Sequence, residues 1–348
     1  MPVPADGPGS IGRVSSLAGT GLQSLTVDID GPVHYVDMGG PAGGPLMVAV
    51  HGLGGSHINW LAVAPRLTQR SRLLALDLVG HGLTPAEGRT PDIEGHRRLL
   101  GGFLQAVAGS PAILIGNSMG GLVSALQAVA EPETVAGLVL VDPALPTARP
   151  GLVHPRVAVN FALCAVPGVG EHFLAHRRRL TTAEQSVQRV LGICCVDRSR
   201  VPADVVAAHV ALTAQIDRAR GDASYLQSAR SLSHLLARPA ATIRRLGGLD
   251  QPVLLLQGER DVLIPLSAAR RMSAAHPDWR FEVAPDIGHV PMLEAPEWTC
   301  DMIEDWLDHQ GSAAAVLASP TGAFSPPDNP AGGHRGPPQW TWRSSPSQ

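Results

Sequence analysis

One nine-residue segment, residues 113–121, constrains the fold more than any other part of the sequence. It reads ILIGNSMGG, so three apolar β-forming residues lead into the pattern Gly-x-Ser-x-Gly, and an apolar stretch follows. That order predicts a buried strand, a sharp turn and a buried helix, with Ser118 at the turn. The small residues Gly116 and Gly120 leave room for such a bend, which lifts the serine hydroxyl out of the sheet.

Short apolar runs alternate with helical patterns along most of the chain. Such alternation is typical of an α/β fold with a mostly parallel sheet that is covered by helices on both faces. Eight runs predict an eight-stranded sheet. They are residues 22–30, 33–38, 46–50, 72–78, 112–115, 135–141, 253–257 and 280–284.

Residues 145–248 break this alternation, because they contain several helical patterns and no clear strand. We therefore predict a helical cap at 145–248, inserted into a core formed by residues 21–144 and 249–311. Both ends of the chain are rich in Gly, Pro and Ser, which predicts disordered tails at residues 1–20 and 312–348.

Composition excludes several classes of function. The formal net charge is −3, whereas a protein that coats nucleic acid is usually basic. Four cysteines at unsuitable spacing predict reduced thiols, and the N-terminus lacks the features of a signal peptide, so we expect a cytoplasmic protein. Residues 99–130 are uncharged and long enough to span a bilayer, but their glycines favour a buried strand and helix over a transmembrane segment.

Two further segments supply the partners that a nucleophilic serine needs. Residues 257–261 (QGERD) follow one predicted strand and residues 287–291 (IGHVP) follow the last one. His289 would accept the proton of Ser118, and Asp261 would orient the imidazole. Asp142, which ends the sixth strand, and Glu259 are the rival acids.

These motifs, in this order, resemble those of the α/β-hydrolase fold family over about residues 22–310. The segment HGLGG at residues 51–55 resembles the family's HGxxG turn, and DLVGHG at 77–82 resembles a packing loop. The resemblance implies a serine hydrolase with a helical cap and the catalytic triad Ser118, Asp261 and His289. It also implies that the backbone N–H groups of Leu53 and Met119 form the oxyanion hole.

The serine at the turn also narrows the reaction. Family members that open epoxides or remove halide use an aspartate there, so the resemblance favours cleavage of a carboxylic ester or thioester through an acyl-enzyme, without metal or cofactor. The segment GNSMGG resembles that of carbon–carbon hydrolases, so cleavage of a carbon–carbon bond is an alternative reaction. Val290 weakens this alternative, because those relatives have a tryptophan directly after the catalytic histidine. A ligand sensor with little turnover is a second alternative.

Substrate contacts are predicted at Trp60, Asn117, Phe161 and Val290, and the expected partner is a small acyl compound. Residues 145–248 hold 14 arginines against six acidic residues, and the rest of the chain is acidic. The run at 177–179 is therefore consistent with an anionic substrate, or alternatively with a solvated helix face. The oligomeric state is left open.

Overall fold

The computed structural model describes residues 12–16, 22–146 and 155–313, and one nine-stranded sheet runs through them. The strands are β1 (Gly12–Ser16), β2 (Gln23–Asp28), β3 (Pro32–Gly39), β4 (Leu46–Val50), β5 (Arg72–Leu76), β6 (Ala112–Asn117), β7 (Val135–Val141), β8 (Val253–Gly258) and β9 (Arg280–Ala284). Their order in the sheet is β1-β2-β3-β5-β4-β6-β7-β8-β9. The six strands β5, β4, β6, β7, β8 and β9 are parallel to one another. At one edge β1 pairs antiparallel with β2, β2 with β3, and β3 with β5.

All eight predicted strands are present, and the mostly parallel sheet is confirmed. The ninth strand, β1, pairs antiparallel with β2 and lies inside the segment 1–20 for which disorder is predicted. That prediction is wrong for residues 12–16, because a polar segment flanked by Gly and Ser can still complete an edge ladder with its backbone. The rest of the segment, and residues 314–348 of the other predicted tail, lie outside the described residues.

Six consecutive helices are inserted between β7 and β8, where the sequence predicts a cap. The helices are α1 (Ala64–Leu67), α2 (Ile93–Phe103), α3 (Met119–Ala130), α4 (Pro155–Ala165), α5 (Val169–Leu180), α6 (Ala183–Cys194), α7 (Ala203–Gln215), α8 (Arg218–Leu236), α9 (Pro239–Leu246), α10 (Leu266–Ala275), α11 (Pro291–Glu294) and α12 (Pro296–Ala313). Short turns add a π-helical segment (Leu104–Ala108) and 3₁₀ helices (His57–Trp60, Pro132–Thr134, Arg198–Arg200). We call α4 to α9 the helical insertion.

Within the described residues, no single helix is long and apolar enough to cross a membrane. Only Val157–Ala165 and Val169–Leu180 together, in α4 and α5, reach the necessary length and composition, and they meet at a bend of 119°. A cytoplasmic location stays a prediction.

The sheet separates two hydrophobic clusters, one on each face. Successive residues of β8 alternate between them, because Leu254 and Leu256 belong to one cluster and Leu255 to the other. All three side chains are fully buried. A strand covered on both faces has no solvent side, and this explains why its sequence is a continuous apolar run.

A buried carboxylate, Asp77, fixes the loops that follow β4 and β5. Its oxygens accept the backbone N–H groups of His57 (2.7 Å) and Leu83 (2.9 Å), and they contact Nδ1 of His34 (2.8 Å) and of His57 (3.0 Å). Burial alone would raise the pKa of the Asp77 carboxyl. The charges and hydrogen bonds of His57 and His34 outweigh burial and hold that pKa well below its usual range.

The insertion contributes another histidine to this region, His209 on α7. Its Nε2 is buried and has no hydrogen-bond partner among the described residues. Burial, with a smaller contribution from the charge of His57, lowers the pKa of His209 to about 4. The neutral imidazole is therefore the form that the folded protein accommodates.

We expect His209→Leu to change how stability depends on pH. Between pH 6.5 and about 4 the unfolded chain binds a proton on this imidazole and the folded chain does not, so wild-type stability falls as the pH falls through that window. The variant lacks this penalty. Its free energy of unfolding relative to that of wild type should therefore be about 2–3 kcal/mol higher at pH 4.5 than at pH 7.5. Urea unfolding of both proteins at both pH values measures this difference. An equal stability difference between variant and wild type at the two pH values would contradict the lowered pKa of His209.

Candidate active site

The backbone at Ser118 adopts a conformation that side chains rarely take. Its φ is 54° and its ψ is −119°, in the turn that joins β6 to α3. The Ser118 N–H donates to the carbonyl of Val141 (3.0 Å), and its carbonyl accepts the N–H of Ala144 (2.9 Å). A conformation of this kind costs about 1–3 kcal/mol and persists only where the surroundings enforce it.

Three glycines make this turn possible, because a side chain at any of them would collide with a neighbour. A Cβ at Gly116 would lie 2.6 Å from the carbonyl oxygen of Gly120, and one at Gly120 would lie 2.2 Å from that of Val50. A Cβ at Gly52 would lie 3.0 Å from the Cβ of Ser118. The turn at residues 51–55, which we call the oxyanion turn, therefore packs directly against the serine.

The predicted base and acid are hydrogen-bonded to each other. His289 Nδ1 lies 2.7 Å from Asp261 Oδ2, and both side chains are buried. The other oxygen of Asp261 accepts the backbone N–H groups of Leu263 (2.7 Å) and Ile264 (3.1 Å). A carboxylate only accepts hydrogen bonds, so the imidazole proton sits on Nδ1 and leaves Nε2 free to act as a base.

Asn117 links the serine turn to the loop that carries the histidine, residues 285–290, which we call the histidine loop. Its Nδ2 donates to the carbonyl oxygens of His289 (3.1 Å) and Val141 (3.1 Å), and its side chain is 2% exposed. Substrate contact by Asn117 stays a prediction, and the amide group bridges two loops inside the fold. Through it, Ser118 and His289 are held at the same edge of the sheet.

The helical insertion holds the histidine loop from the other side. The His289 N–H donates to the carbonyl of Cys194 at the end of α6 (2.6 Å). The buried Glu294 carboxylate accepts the N–H groups of Gly288 (2.8 Å) and Asp197 (2.7 Å), the latter from the insertion. These contacts join residues about 90 positions apart, and no motif in the sequence indicates them.

Both predicted oxyanion donors lie beside the serine. Met119 is the first residue of α3, and Leu53 lies in the oxyanion turn next to the glycine that touches Ser118. In the described part of the chain, the hydrogen bonds of loops and turns do not use the N–H of either residue. Both groups are thus available to an oxygen that becomes negative at this position, and the helix N-terminus adds its positive end.

A tyrosine of the insertion, Tyr225 on α8, reaches the oxyanion turn. A Cβ at Gly54 would lie 3.3 Å from its ring, and its hydroxyl is hydrogen-bonded to the side chain of Asn160 on α4. Burial raises the pKa of Tyr225 to about 12, so the phenol keeps its proton at neutral pH. The sequence offers no motif for Tyr225, because its place depends on how the insertion packs.

The other predicted substrate contacts have different surroundings. Trp60 is 1% exposed and packs in a hydrophobic cluster, and substrate contact by this side chain stays a prediction. Val290 lies in the same cluster and is 5% exposed, whereas Phe161 on α4 is half-buried. Substrate contact by Val290 and Phe161 stays a prediction.

The rival acids occupy distinct places. Glu259 is exposed and accepts the N–H of Asp286 (3.2 Å), whereas the Asp142 side chain is fully buried behind the triad. Oδ1 of Asp142 accepts the N–H of Gly258 (2.8 Å) and Nε2 of Gln257 (2.7 Å). Asp261 is thus the acid that contacts His289, and Asp142 belongs to the network that supports it.

His51, at the start of the oxyanion turn, has a structural role. Its Nδ1 donates to the carbonyl of Gly52 (2.8 Å), and its Nε2 accepts the N–H of Leu78 (3.0 Å). Burial, together with the charge of His81, lowers the pKa of His51 to about 4. The neutral ring therefore joins the turn after β4 to the loop after β5.

Two groups of buried His and Asp side chains in the described residues bring three polar atoms within 4.8 Å of one another. One is the cluster around Asp77 and the other is the triad region. In each, a histidine nitrogen and a carboxylate oxygen are already hydrogen-bonded to each other. The prediction that the protein needs no metal or cofactor stays a prediction.

Two of the arginines at residues 177–179, which are consistent with an anionic substrate, contact other side chains of the insertion. Arg178 pairs with Asp222, and the guanidinium of Arg177 lies 5.6 Å from the ring centroid of Phe173. The Arg178 pair thus joins α5 to α8, whereas the Arg177 contact lies within α5.

Comparison with known proteins agrees with this geometry. The model of the alpha/beta hydrolase family matches residues 47–302. The chain belongs to this family. The solved structure of Cfl2 from Burkholderia cenocepacia has a TM-score of 0.70 and 22% identity to this hydrolase, and it covers 84% of this chain and 98% of its own. At that identity it supports the fold.

Two curated relatives are about equally similar in sequence to this hydrolase. The pimeloyl-[acyl-carrier protein] methyl ester esterase of Aromatoleum aromaticum is 31% identical over 275 residues, which are 75% of this chain and 97% of the relative. The dihydrolipoyllysine-residue acetyltransferase component of the acetoin cleaving system of Pseudomonas putida is 30% identical over 268 residues. The alignment covers 76% of this chain but only 64% of that relative.

We expect Gly288→Ala to displace the histidine loop. Its Cβ would lie 2.2 Å from the Cys194 carbonyl, the group that accepts the His289 N–H. Labelling of Ser118 by a fluorophosphonate probe should slow roughly tenfold or more, because the base loses its position. Gly192→Ala is the matched control, since its nearest neighbour would lie 4.0 Å away. Equal labelling of both variants would contradict the role of this contact.

Proposed function

We propose that this hydrolase cleaves a carboxylic ester or thioester through an acyl-enzyme, with Ser118, His289 and Asp261 as catalytic triad. The observation that carries the proposal is the strained serine at positive φ, tethered through Asn117 to a histidine that is hydrogen-bonded to a carboxylate. A strained turn, a neutral base and an oriented acid together make a weak nucleophile reactive.

The proposed reaction proceeds in two halves. His289 Nε2 accepts the Ser118 proton while Oγ attacks the carbonyl carbon, and the oxygen that becomes negative binds the N–H groups of Leu53 and Met119. The imidazolium then protonates the leaving alcohol or thiol as the bond to the acyl carbon breaks. Water attacks the acyl-enzyme with the same base, which releases the acid and restores the serine.

An ester substrate is supported by the curated relative whose alignment covers nearly its full length, the pimeloyl-[acyl-carrier protein] methyl ester esterase. A thioester uses the same steps with a better leaving group. A role of the insertion in substrate binding is supported by Tyr225, which brings α8 to the oxyanion turn and is hydrogen-bonded to Asn160 of α4. These side chains are the ones we expect to limit the shape of the acyl group.

Ser118→Ala should lower the hydrolysis of a short p-nitrophenyl ester on the order of 10⁴-fold or more, because the acyl-enzyme cannot form. Ser124→Ala is the matched control: Ser124 is a buried serine of α3 whose hydroxyl has no hydrogen-bond partner among the described residues. Circular dichroism checks that both variants fold. A Ser118→Ala enzyme with near-normal rate would refute the mechanism.

Two further measurements separate the proposed function from the alternatives. Faster turnover of a vinylogous diketone acid than of any ester or thioester would identify a carbon–carbon hydrolase. A wild-type protein that binds ester analogues but is not labelled at Ser118 by the fluorophosphonate would identify a ligand sensor. Ester turnover together with labelling of Ser118 supports the proposed function.

A further inference from the structure

A second carboxyl group lies directly behind the catalytic acid. Asp142, at the end of β7, and Asp261, after β8, are 0% and 8% exposed. A carboxylate oxygen of each and a ring nitrogen of His289 all lie within 4.8 Å of one another. Gln257 Nε2 bridges the two carboxyl groups, at 2.7 Å from Asp142 and 3.3 Å from Asp261.

The two carboxyl groups differ in the donors they receive. Asp261 accepts backbone N–H groups at Oδ1 and the imidazole at Oδ2, so each of its oxygens receives a hydrogen bond. Asp142 receives two N–H donors at Oδ1, whereas its Oδ2 is buried and accepts none from the described residues. A buried oxygen without a donor is costly for a carboxylate and is natural for the O–H of a carboxylic acid.

The charges around Asp142 also favour the acid form. The groups that face it are Asp261 and His289 of the triad, Glu294 of α11 and the thiol of Cys194 at the end of α6. Two of these are carboxyl groups. Burial raises the pKa of Asp142 well above its usual range, and the negative charge of Asp261 raises it further.

We propose that Asp142 is a positioning residue that keeps its proton and donates a hydrogen bond to the Asp261 carboxylate. Its Oδ1 is held by Gly258 and Gln257, so Oδ2 is the oxygen left to carry the proton. Asp261 then has a donor from behind that fixes the oxygen facing His289. The pair carries one negative charge instead of two. The imidazolium formed during catalysis is therefore stabilised, but not so strongly that it fails to give its proton to the leaving group.

This inference rests on the proposed function, and a pair of substitutions tests it. Asp142→Leu keeps the number and branching of the side-chain heavy atoms but removes the donor, and we expect kcat/KM for the p-nitrophenyl ester to fall about tenfold or more. Asp142→Asn places an amide N–H where the acid proton is proposed and should recover most of the lost activity. Failure of Asp142→Asn to exceed Asp142→Leu would overturn the proposal.

The pH profile distinguishes this role from simple packing. Asp142→Asn exchanges one neutral donor for another, so the acid limb of kcat/KM should stay within about 0.3 pH units of wild type. If Asp142 were ionised, the substitution would remove a negative charge beside the triad and move that limb to lower pH by about one unit or more. Such a shift would overturn the proposal.

Infrared spectroscopy of the full-length protein tests the proton without substrate. The difference spectrum of wild type minus Asp142→Asn at neutral pH should contain the carbonyl band of a protonated carboxyl group. Carboxylate bands in its place would overturn the proposal. Because this readout needs no turnover, it remains decisive if the ester assay shows that the proposed function is wrong. Should Asp142→Asn not fold, wild type with isotope-labelled aspartate, followed as the pH is raised, gives the same band.

Discussion

The backbone of Ser118 is the constraint on which the site depends. Its conformation is unfavourable by about 1–3 kcal/mol, and it persists because both of its peptide groups are tied to β7 and the residues after it, at Val141 and Ala144. β6, which leads into the turn, buries Leu114 and Ile115 completely, on opposite faces of the sheet. A strand at the edge could not be held from both sides in this way.

The helical insertion holds residues of the proposed triad in place. The carbonyl of Cys194 fixes the backbone of His289, and Glu294 binds one N–H from the histidine loop and one from the insertion. Tyr225 closes the opposite side, against the oxyanion turn. A movement that lifted the whole insertion would therefore disturb the base.

The sequence predicts the sheet and the contact between His289 and Asp261 better than the surroundings of Asn117 and Trp60, and the reason is physical. Central strands are apolar on both faces, so their apolar runs are visible in the sequence. β1 pairs with β2 through its backbone, and its sequence GRVSS contains no such run. Ser118, Asp261 and His289 each follow a strand, and parallel strands carry their ends to one edge. Asn117 and Trp60 lie near that edge, and their polar or aromatic character suggests contact with a substrate. The direction of a side chain depends on tertiary packing, however, and both side chains are buried in the fold.

Charge asymmetry between the insertion and the core has a structural explanation in the ion pairs that cross between them. Arg200 of the insertion binds Asp286 (2.7 Å) and lies 3.7 Å from the buried Glu294, and Arg245 lies 3.6 Å from Glu94. Exposed pairs of this kind contribute about 0–1 kcal/mol each, so they orient the insertion more than they stabilise it. One of them acts on the carboxylate that holds the histidine loop. Two arginines of the insertion, Arg200 and Arg245, are thus engaged by acidic residues of the core, whereas Arg178 and Arg230 pair with acidic residues of the insertion itself.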